Sequence, residues 1–262
     1  MKLHVLGSAG YHGNGFRETT CLALPEIGVV LDAGTGFFRL RKLMNDFPAE
    51  QPIDVFLSHG HLDHVIGLTQ TITTMHGLPP HNFHVHGSRA HLDAVETVFG
   101  GLLFPLSLER MGLSPVRLLN TDSTRCEFLP RETLRVFSCT VPHPGQSVAY
   151  RFEEGSGHTF AYVTDTQAQF VRKDFVSGVD TLIHECNFPD SYRALAEASG
   201  HSCLSDVLRL AERAKVKKLV LMHFNNFPEM EGGEPLDNLV GELPRELPCE
   251  VILTKDNMVV NI

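Results

Sequence analysis

The chain has 262 residues, which is long enough for one large domain or two small ones with a sizeable core. Its 42% hydrophobic and 20% charged residues are typical of a soluble globular protein and exclude a disordered or fibrous chain. The 22 basic and 31 acidic residues give a net charge of −9, which argues against a protein that coats nucleic acid.

Neither a membrane span nor a targeting segment is expected. Every apolar run is shorter than the roughly 20 residues that cross a bilayer, and polar residues interrupt the first residues too soon for a signal peptide. The six cysteines are scattered without a CxxC pair, which favours free thiols in a reducing compartment. These features predict a cytoplasmic protein with no membrane partner.

The predicted strands are short runs rich in Val, Ile and Leu that are bounded by Gly or Pro. In chain order they cover residues 2–6, 19–24, 27–32, 53–57, 83–86, 133–141, 147–152, 159–163, 180–184, 218–222, 250–254 and 258–261. Apolar residues at helical spacing predict helices over 37–47, 65–75, 89–99, 191–198 and 203–214. This order predicts an α/β protein with two packed sheets and outer helices, an αββα sandwich, formed as a single domain over residues 1–262.

A dense group of metal-binding residue types follows the predicted strand 53–57. It contains His59, His61, Asp63 and His64 within six residues. His59 and His61 are two residues apart, so both side chains leave an extended backbone on the same face. Imidazole and carboxylate ligands suit zinc, manganese or iron, whereas magnesium prefers oxygen ligands. The pattern HxHxDH therefore predicts a metal site at the end of this strand.

This pattern at a strand end resembles the signature of the metallo-β-lactamase superfamily. Four further residues, each at the end of a predicted strand, resemble the family's later motifs and occur in the family's order. Asp32 is similar to the early aspartate, and His143 is similar to the third-motif histidine. Asp165 is similar to the bridging aspartate, and His223 is similar to the last ligand.

The resemblance implies two divalent metal ions, in first place Zn²⁺, with Mn²⁺ or Fe²⁺ as alternatives. Seven side chains would hold them: His59, His61 and His143 at the first ion, Asp63, His64 and His223 at the second, and Asp165 between the two. Two such ions about 3.5–4 Å apart share a water, lower its pKa and present hydroxide to an electrophile. Asp63 is counted among the catalytic residues as well as among the ligands.

A second set of residues resembles the ribonuclease Z branch of this superfamily and its phosphodiesterase relatives. Glu185 lies in a His-Glu-Cys-Asn segment where those relatives have His-Glu-Ala-Thr, and His201 lies in the same Gly-His-Ser tripeptide. In that branch the Gly-His-Ser histidine protonates the leaving oxygen and the glutamate orients it. The resemblance implies that His201 is the general acid and Glu185 its partner, and a neighbouring carboxylate keeps an imidazole protonated near neutral pH.

An insertion typical of ribonuclease Z is missing from this sequence. In that family a long arm that grips tRNA lies between the third-motif histidine and the bridging aspartate. Here only the 21 residues 144–164 separate His143 from Asp165, and they predict two strands joined by an acidic turn. This argues against tRNA as a substrate and favours a small or cyclic phosphodiester.

The sequence thus predicts a dinuclear metal-dependent hydrolase, specifically a phosphodiesterase in which a metal-bridging hydroxide attacks phosphorus. A hydrolase of thioesters or lactones on the same centre is the alternative, and it depends less on an acid at the leaving oxygen. A non-catalytic accessory protein that retains the fold is a third interpretation, against which the complete ligand set counts. The sequence leaves a homodimer open.

Three other features are weaker. His84 and His86 repeat the HxH spacing, but no carboxylate follows them, and they are interpreted as an ordinary strand end. Four glycines in the loop 7–15 allow a close approach to a ligand, and whether His12 touches substrate stays open. The acidic stretch 225–246 is expected to be a solvated loop, with a lid as the alternative.

Overall fold

The computed structural model describes residues 1–49, 51–78, 82–118, 128–131, 133–225 and 237–262. Its strands in chain order are β1 (Lys2–Gly7), β2 (Cys21–Leu24), β3 (Val29–Leu31), β4 (Ile53–Phe56), β5 (Phe83–Ser88), β6 (Leu113–Leu118), β7 (Phe128–Arg131), β8 (Leu134–Val141), β9 (Ser147–Glu154), β10 (Thr159–Val163), β11 (Thr181–Glu185), β12 (Lys218–Met222), β13 (Glu250–Leu253) and β14 (Val259–Asn261). Its α-helices are α1 (Leu62–Val65), α2 (Thr71–Met75), α3 (Arg89–Val98), α4 (Lys173–Val176), α5 (Arg193–Ser199), α6 (Leu204–Ala214) and α7 (Asp237–Glu242).

The described strands form two seven-stranded sheets, and each sheet combines antiparallel with parallel pairing. The first has the order β14-β1-β2-β3-β4-β5-β6, antiparallel as far as β3 and parallel from β3 to β6. The second has the order β13-β12-β11-β10-β9-β8-β7, parallel from β13 to β10 and antiparallel beyond it. Within each parallel part the strands end at the same edge, where open α/β sheets place their ligands.

Three layers of buried apolar side chains hold the two sheets and the helices together. The inner layer lies between the sheets, and the two outer layers lie under the helices. β12 shows how one strand serves two layers, because Val220 and Met222 face the other sheet while Leu219 and Leu221 face α6 and its neighbours. A strand buried on both faces has a continuous apolar run rather than alternation. The predicted αββα sandwich is confirmed.

Each of the twelve predicted strands has a counterpart in the structure, whereas β6 and β7 were missed. β6 contains Pro115 and is only half-buried over most of its length. It lies at the edge of the first sheet, where a proline removes no hydrogen bond from an interior strand. Such a strand lacks the apolar pattern on which strand prediction depends. That residues 1–262 form one domain stays a prediction.

The predicted helices differ in detail from the observed ones. The helix expected over 65–75 is divided into α1, a 3₁₀-helix Ile66–Gln70 and α2. In this 3₁₀-helix Gly67 N donates to the carbonyl oxygen of Ala33, and the approach is so close that a Cβ at Gly67 would lie 2.1 Å from the carbonyl oxygen of Gly34. The helix expected over 37–47 is a 3₁₀-helix over Thr35–Asp46.

The prediction for the stretch 225–246 is corrected in part. Residues 226–236 lie outside the described residues. The following residues form α7 rather than a solvated loop, because Leu239 packs into the apolar layer outside the second sheet. No helix in the described part of the chain combines the length and the apolar character needed to cross a bilayer.

Candidate metal centre

The candidate ligands lie in loops that follow strands of both sheets. His59 follows β4 in the first sheet, whereas His143, Asp165 and His223 follow β8, β10 and β12 in the second. Asp32, Asp165 and His223 have φ values of 55°, 51° and 59°, in the left-handed region. Non-glycine residues in this region cost of order 1–3 kcal/mol each, and such strain clusters at functional sites.

The first predicted triad converges in the structure. The ligand atoms of His59, His61 and His143 all lie within 4.8 Å of one another. The oxygen Oδ1 of Asp165 lies 3.8 Å from Nε2 of His59 and 3.7 Å from Nε2 of His143. His61 is exposed, whereas His59 is buried, so the triad opens toward solvent on one side.

The second predicted triad lies on the other side of Asp165. The Nε2 atoms of His64 and His223 are 3.1 Å apart, and Oδ2 of Asp63 lies 3.3 and 3.5 Å from them. Oδ2 of Asp165 is 3.2 Å from His64 Nε2, and Oδ1 is 3.4 Å from His223 Nε2. All seven predicted ligands are therefore brought together, with Asp165 between the two triads.

Asp32 orients part of this cluster from a fully buried position. Its carboxylate accepts hydrogen bonds from Ser58 N (2.6 Å), Ser58 Oγ (2.7 Å) and Tyr162 OH (2.5 Å). It also accepts from Nδ1 of His64 at 2.7 Å, and this contact directs Nε2 of that ring toward the site. Ser58 and Tyr162 were missed by sequence reasoning, although both lie within two residues of a predicted ligand or strand end.

His59 provides a test of whether a metal fits this cluster. Ser58 Oγ gives its hydrogen to Asp32, so it accepts one from Nδ1 of His59 at 3.0 Å. Nε2 of His59 then faces the cluster, and among the described residues this buried nitrogen has no hydrogen-bond partner. Converging lone pairs from imidazoles and carboxylates are the donors that a divalent transition metal takes. The residues fit divalent metal binding.

Two further contacts hold the remaining histidines that are predicted to be ligands. Nδ1 of His143 donates to the carbonyl oxygen of Gly200 at 3.4 Å. The side-chain amide of Asn187 lies 3.0 Å from Nδ1 of His223 and donates to the carbonyl oxygen of His223 at 3.1 Å. Asn187 stands where the ribonuclease Z-like relatives have threonine, and only the structure shows that it contacts a ligand.

Charges inside the cluster are balanced locally. Burial lowers the pKa of His59 well below its usual value, and the neighbouring His64 adds to this effect. Burial opposes the charge of Asp165, but His223, His64 and His59 around it outweigh burial and hold its pKa well below the usual range. Asp165 is thus a carboxylate and His59 a neutral imidazole, which are the forms that coordinate metals.

The second set of predicted site residues, His201 and Glu185, forms a hydrogen-bonded pair beside the cluster. Nδ1 of His201 lies 3.1 Å from both carboxylate oxygens of Glu185, which is fully buried at the end of β11. The same carboxylate accepts from Thr166 N (2.6 Å) and Ser202 N (3.2 Å). Burial opposes the charged form of His201, but Glu185 raises the pKa of that imidazole to about 9.

His201 lies next to the predicted ligands. Its ring centroid is 5.0 Å from that of His143 and 5.5 Å from that of His223. One ligand atom of His201 lies within 4.8 Å of those of His143 and Asp165. The side chain is 15% exposed, so the imidazole borders both the cluster and solvent.

The glycine-containing loop 7–15 reaches the cluster through its backbone. The amide of Tyr11 donates to Oδ2 of Asp63 at 2.9 Å, in a left-handed conformation with φ 66°. The Tyr11 side chain is 78% exposed. The neighbouring His12 is exposed and its Nδ1 donates to the carbonyl oxygen of Gly13. Sequence reasoning did not name Tyr11, and substrate contact by His12 stays an open question that this contact does not test.

Comparison with known proteins identifies the class to which this fold and cluster belong. The profile of the beta-lactamase superfamily domain matches residues 28–224. The chain therefore belongs to the metallo-β-lactamase superfamily, and its homologues are metallo-hydrolases.

Among curated proteins, the chain is similar to the probable metallo-hydrolase YhfI of Bacillus subtilis. The two are 27% identical over 238 residues, which cover 87% of this chain and 88% of YhfI. The chain is also 28% identical to ribonuclease Z of Nocardia farcinica over 157 residues, or 60% of this chain. That match spans 46% of the Nocardia protein, less than half of its length.

Solved structures show the same fold at low sequence identity. The crystal structure of Bacillus subtilis YhfI matches with a TM-score of 0.74 and 21% identity, and the match covers 99% of this chain and 98% of YhfI. The short form of human tRNase Z matches with a TM-score of 0.73 and 20% identity over 100% and 99% of the two chains. The crystal structure of a diphosphatase of the PhnP family matches with a TM-score of 0.67 and 16% identity, and the match covers 100% of this chain and 97% of the diphosphatase.

Proposed function

We propose that this chain is a dinuclear zinc-dependent phosphodiesterase that acts on a small or cyclic phosphodiester. The observation that carries the proposal is the His201–Glu185 pair, which lies beside the seven-residue cluster. An imidazole held by a buried carboxylate is a suitable general acid. Hydrolysis of a phosphodiester with an alkoxide leaving group needs such an acid more than hydrolysis of a thioester does.

The proposal assigns one metal ion to each of the two triads. His59, His61 and His143 would hold one ion and Asp63, His64 and His223 the other, and the carboxylate of Asp165 lies within reach of both groups. Zn²⁺ suits this mixture of imidazole and carboxylate donors. Two ions bound in this way activate a water and offset negative charge on the substrate's oxygens.

The chain's own residues contribute the proton transfer. Glu185 holds Nδ1 of His201, so Nε2 is the atom that can release a proton to the departing oxygen. The backbone amides of Thr166 and Ser202 also donate hydrogen bonds to the Glu185 carboxylate and hold it in position. Tyr11 N fixes the carboxylate of Asp63, a ligand that we also count among the catalytic residues.

The connection between β9 and β10 supports a small substrate. Within the continuously described residues 133–225, these strands are joined by a tight turn in which Glu154 N donates to the carbonyl oxygen of His158 at 2.9 Å. A tRNA-gripping arm has no place in this turn. Similarity to proteins named ribonuclease Z and diphosphatase supports cleavage at phosphorus.

The test compares two phosphodiesters that differ in their leaving groups. A nitrophenolate leaves as a stable anion, whereas an alkoxide such as a ribose oxygen requires a proton. General acid catalysis is typically worth ~10²–10⁴ in rate. His201→Ala should therefore lower kcat/KM by about that factor on a cyclic nucleotide or another alkyl phosphodiester, and far less on bis(p-nitrophenyl) phosphate.

Three measurements complete this experiment. Glu185→Gln should give a milder form of the same selective loss. Asp165→Ala is the reference for a damaged centre and should lose bound metal and activity on both substrates, whereas His201→Ala keeps its metal. Equal losses on both substrates in His201→Ala would contradict the acid role. Turnover of thioesters or lactones without any phosphodiesterase activity in zinc-replete protein would replace the proposal by its alternative.

A further inference from the structure

A second group of metal-binding side chains lies away from the candidate metal centre, on β4 and β5. The ligand atoms of Asp54, His84 and His86 lie within 4.8 Å of one another. Nε2 of His86 is 2.8 Å from Oδ1 of Asp54, and Nδ1 of His84 is 3.5 Å from the same oxygen. No carboxylate follows the two histidines in the sequence, and the structure supplies one from the neighbouring strand.

The register of β4 and β5 explains how the three side chains meet. The strands are parallel, with Asp54 opposite His84 and Phe56 opposite His86. Phe56 belongs to the apolar layer between the two sheets. Because side chains two residues apart leave a strand on the same face, Asp54, His84 and His86 also project from the inner face.

Burial makes this cluster more than a surface group of polar residues. Asp54 and His86 are 1% and 0% exposed, whereas the His84 side chain is 37% exposed. A carboxylate buried in an apolar layer is costly unless a charge or hydrogen-bond donor compensates it. The exposed edge at His84 gives an ion access from solvent.

The donor geometry suits a small transition-metal ion. Nε2 of His86 and Nδ1 of His84 both lie near the same oxygen, Oδ1 of Asp54. The His86 ring stacks on Phe56 with centroids 4.6 Å apart and an angle of 16°, which fixes its orientation. Zinc bound tetrahedrally at 2.0–2.2 Å holds its ligand atoms about 3.3–3.6 Å apart. The 3.5 Å between Nδ1 of His84 and Oδ1 of Asp54 matches this spacing. Nε2 of His86 and Oδ1 of Asp54 are at hydrogen-bond distance, 2.8 Å, and an ion that replaced the proton between them would move them about 0.5 Å further apart.

We propose that Asp54, His84 and His86 form a further divalent-metal site, which binds one zinc ion with water as the remaining ligand. The site lies toward the start of β4, whereas the loop that carries His59 follows the end of that strand. An ion there joins β4 to β5 and stabilises the sheet without taking part in hydrolysis.

The test counts zinc ions per chain. Chelator-stripped protein is dialysed against buffered free Zn²⁺, and bound zinc is measured by elemental analysis. His84→Gln should bind one ion fewer than the unchanged chain and should keep its activity on bis(p-nitrophenyl) phosphate. His158→Gln is the matched control, because Nδ1 of His158 also lies 3.5 Å from a carboxylate, that of Asp180, and it should bind as much zinc as the unchanged chain.

A second variant tests the buried ligand. Asp54→Asn keeps the volume and removes the charge, so it should also lose one ion. In a chain that carries Asp165→Ala, adding Asp54→Asn should remove one more ion, which separates this site from the candidate metal centre. Equal zinc content in the unchanged, His84→Gln and Asp54→Asn chains would overturn the site and leave a buried hydrogen-bonded pair. A matching loss in His158→Gln would overturn it as well.

Discussion

At the scale of single residues, the candidate centre depends on backbone positions that ordinary side chains avoid. Asp32, Asp165 and His223 all have positive φ within two residues of a strand end. The side chains of Asp165 and His223 lie in the cluster, and that of Asp32 contacts it through His64. The hydrogen bonds to Asp32 and the packing around His223 keep these conformations in place, and the strain is offset by the rest of the fold.

Gly10 offers a test of how closely the cluster is packed. A Cβ at this position would lie 2.6 Å from Cε1 of His223 and 2.8 Å from Nδ2 of Asn187. Gly10→Ala should displace the His223 ring and weaken zinc binding by about 10–100-fold, the range seen when contacts that orient a ligand are lost. Competition with a chromophoric chelator measures this affinity. Gly101→Ala is the control, since nothing lies within 4 Å of its added Cβ, and equal affinities for both variants would contradict the tight packing.

At the scale of elements, the segment that carries His201 is anchored by the helices on both sides of it. α5 ends at Ser199 and is capped by Gly200, which has φ 80°, and α6 begins at Leu204. α6 is amphipathic, and its apolar face packs against the second sheet in the same layer as β12. The position of the imidazole therefore depends on how firmly α6 is attached.

Substitution of Leu210 tests how strongly the packing of α6 contributes to stability. Leu210 is 3% exposed on the apolar face of α6. Leu210→Ala should lower the free energy of unfolding by about 2–5 kcal/mol, because it removes buried methyl groups and leaves a cavity. Urea denaturation followed by circular dichroism measures the change. Leu195→Ala makes the same substitution at a 41% exposed position on α5 and should cost under about 1 kcal/mol, so similar costs for both would contradict the packing of α6.

At the scale of the whole molecule, the two sheets share the candidate centre. The first sheet supplies the HxHxDH loop, and the second supplies His143, Asp165 and His223. The cluster therefore exists only when the sheets are packed face to face. Within the described residues 133–225 the connection between β9 and β10 is a tight turn, and the chain has a net charge of −9.

Precursor tRNA is accordingly expected to bind weakly and to be cleaved poorly. Binding measured between 50 and 200 mM salt should show a shallow dependence, since few phosphates are neutralised, whereas proteins with 6–10 phosphate contacts lose about 10³–10⁵ in affinity over that range. The short form of human tRNase Z serves as the positive control. Tight, strongly salt-dependent binding with efficient 3′ cleavage would refute this expectation and leave the metal assignment intact.

The sequence by itself determined the features that depend on neighbouring residues. The HxHxDH spacing after an apolar strand and the αββα class follow from local pattern, since periodicity and residue type are local properties. The later strand-end residues, together with the Gly-His-Ser and His-Glu segments, were found through resemblance to known proteins. Strands without an apolar pattern, such as β6, were beyond this kind of prediction.

Only the tertiary structure decided the contacts between residues that are distant in the chain. Asn187 beside His223, Tyr11 N on Asp63, and Asp54 beside His86 join separate strands and loops. Their meeting depends on strand register, backbone conformation and the packing of the two sheets. A one-residue shift in register would turn Asp54 away from both histidines, and the sequence carries no local sign of that register.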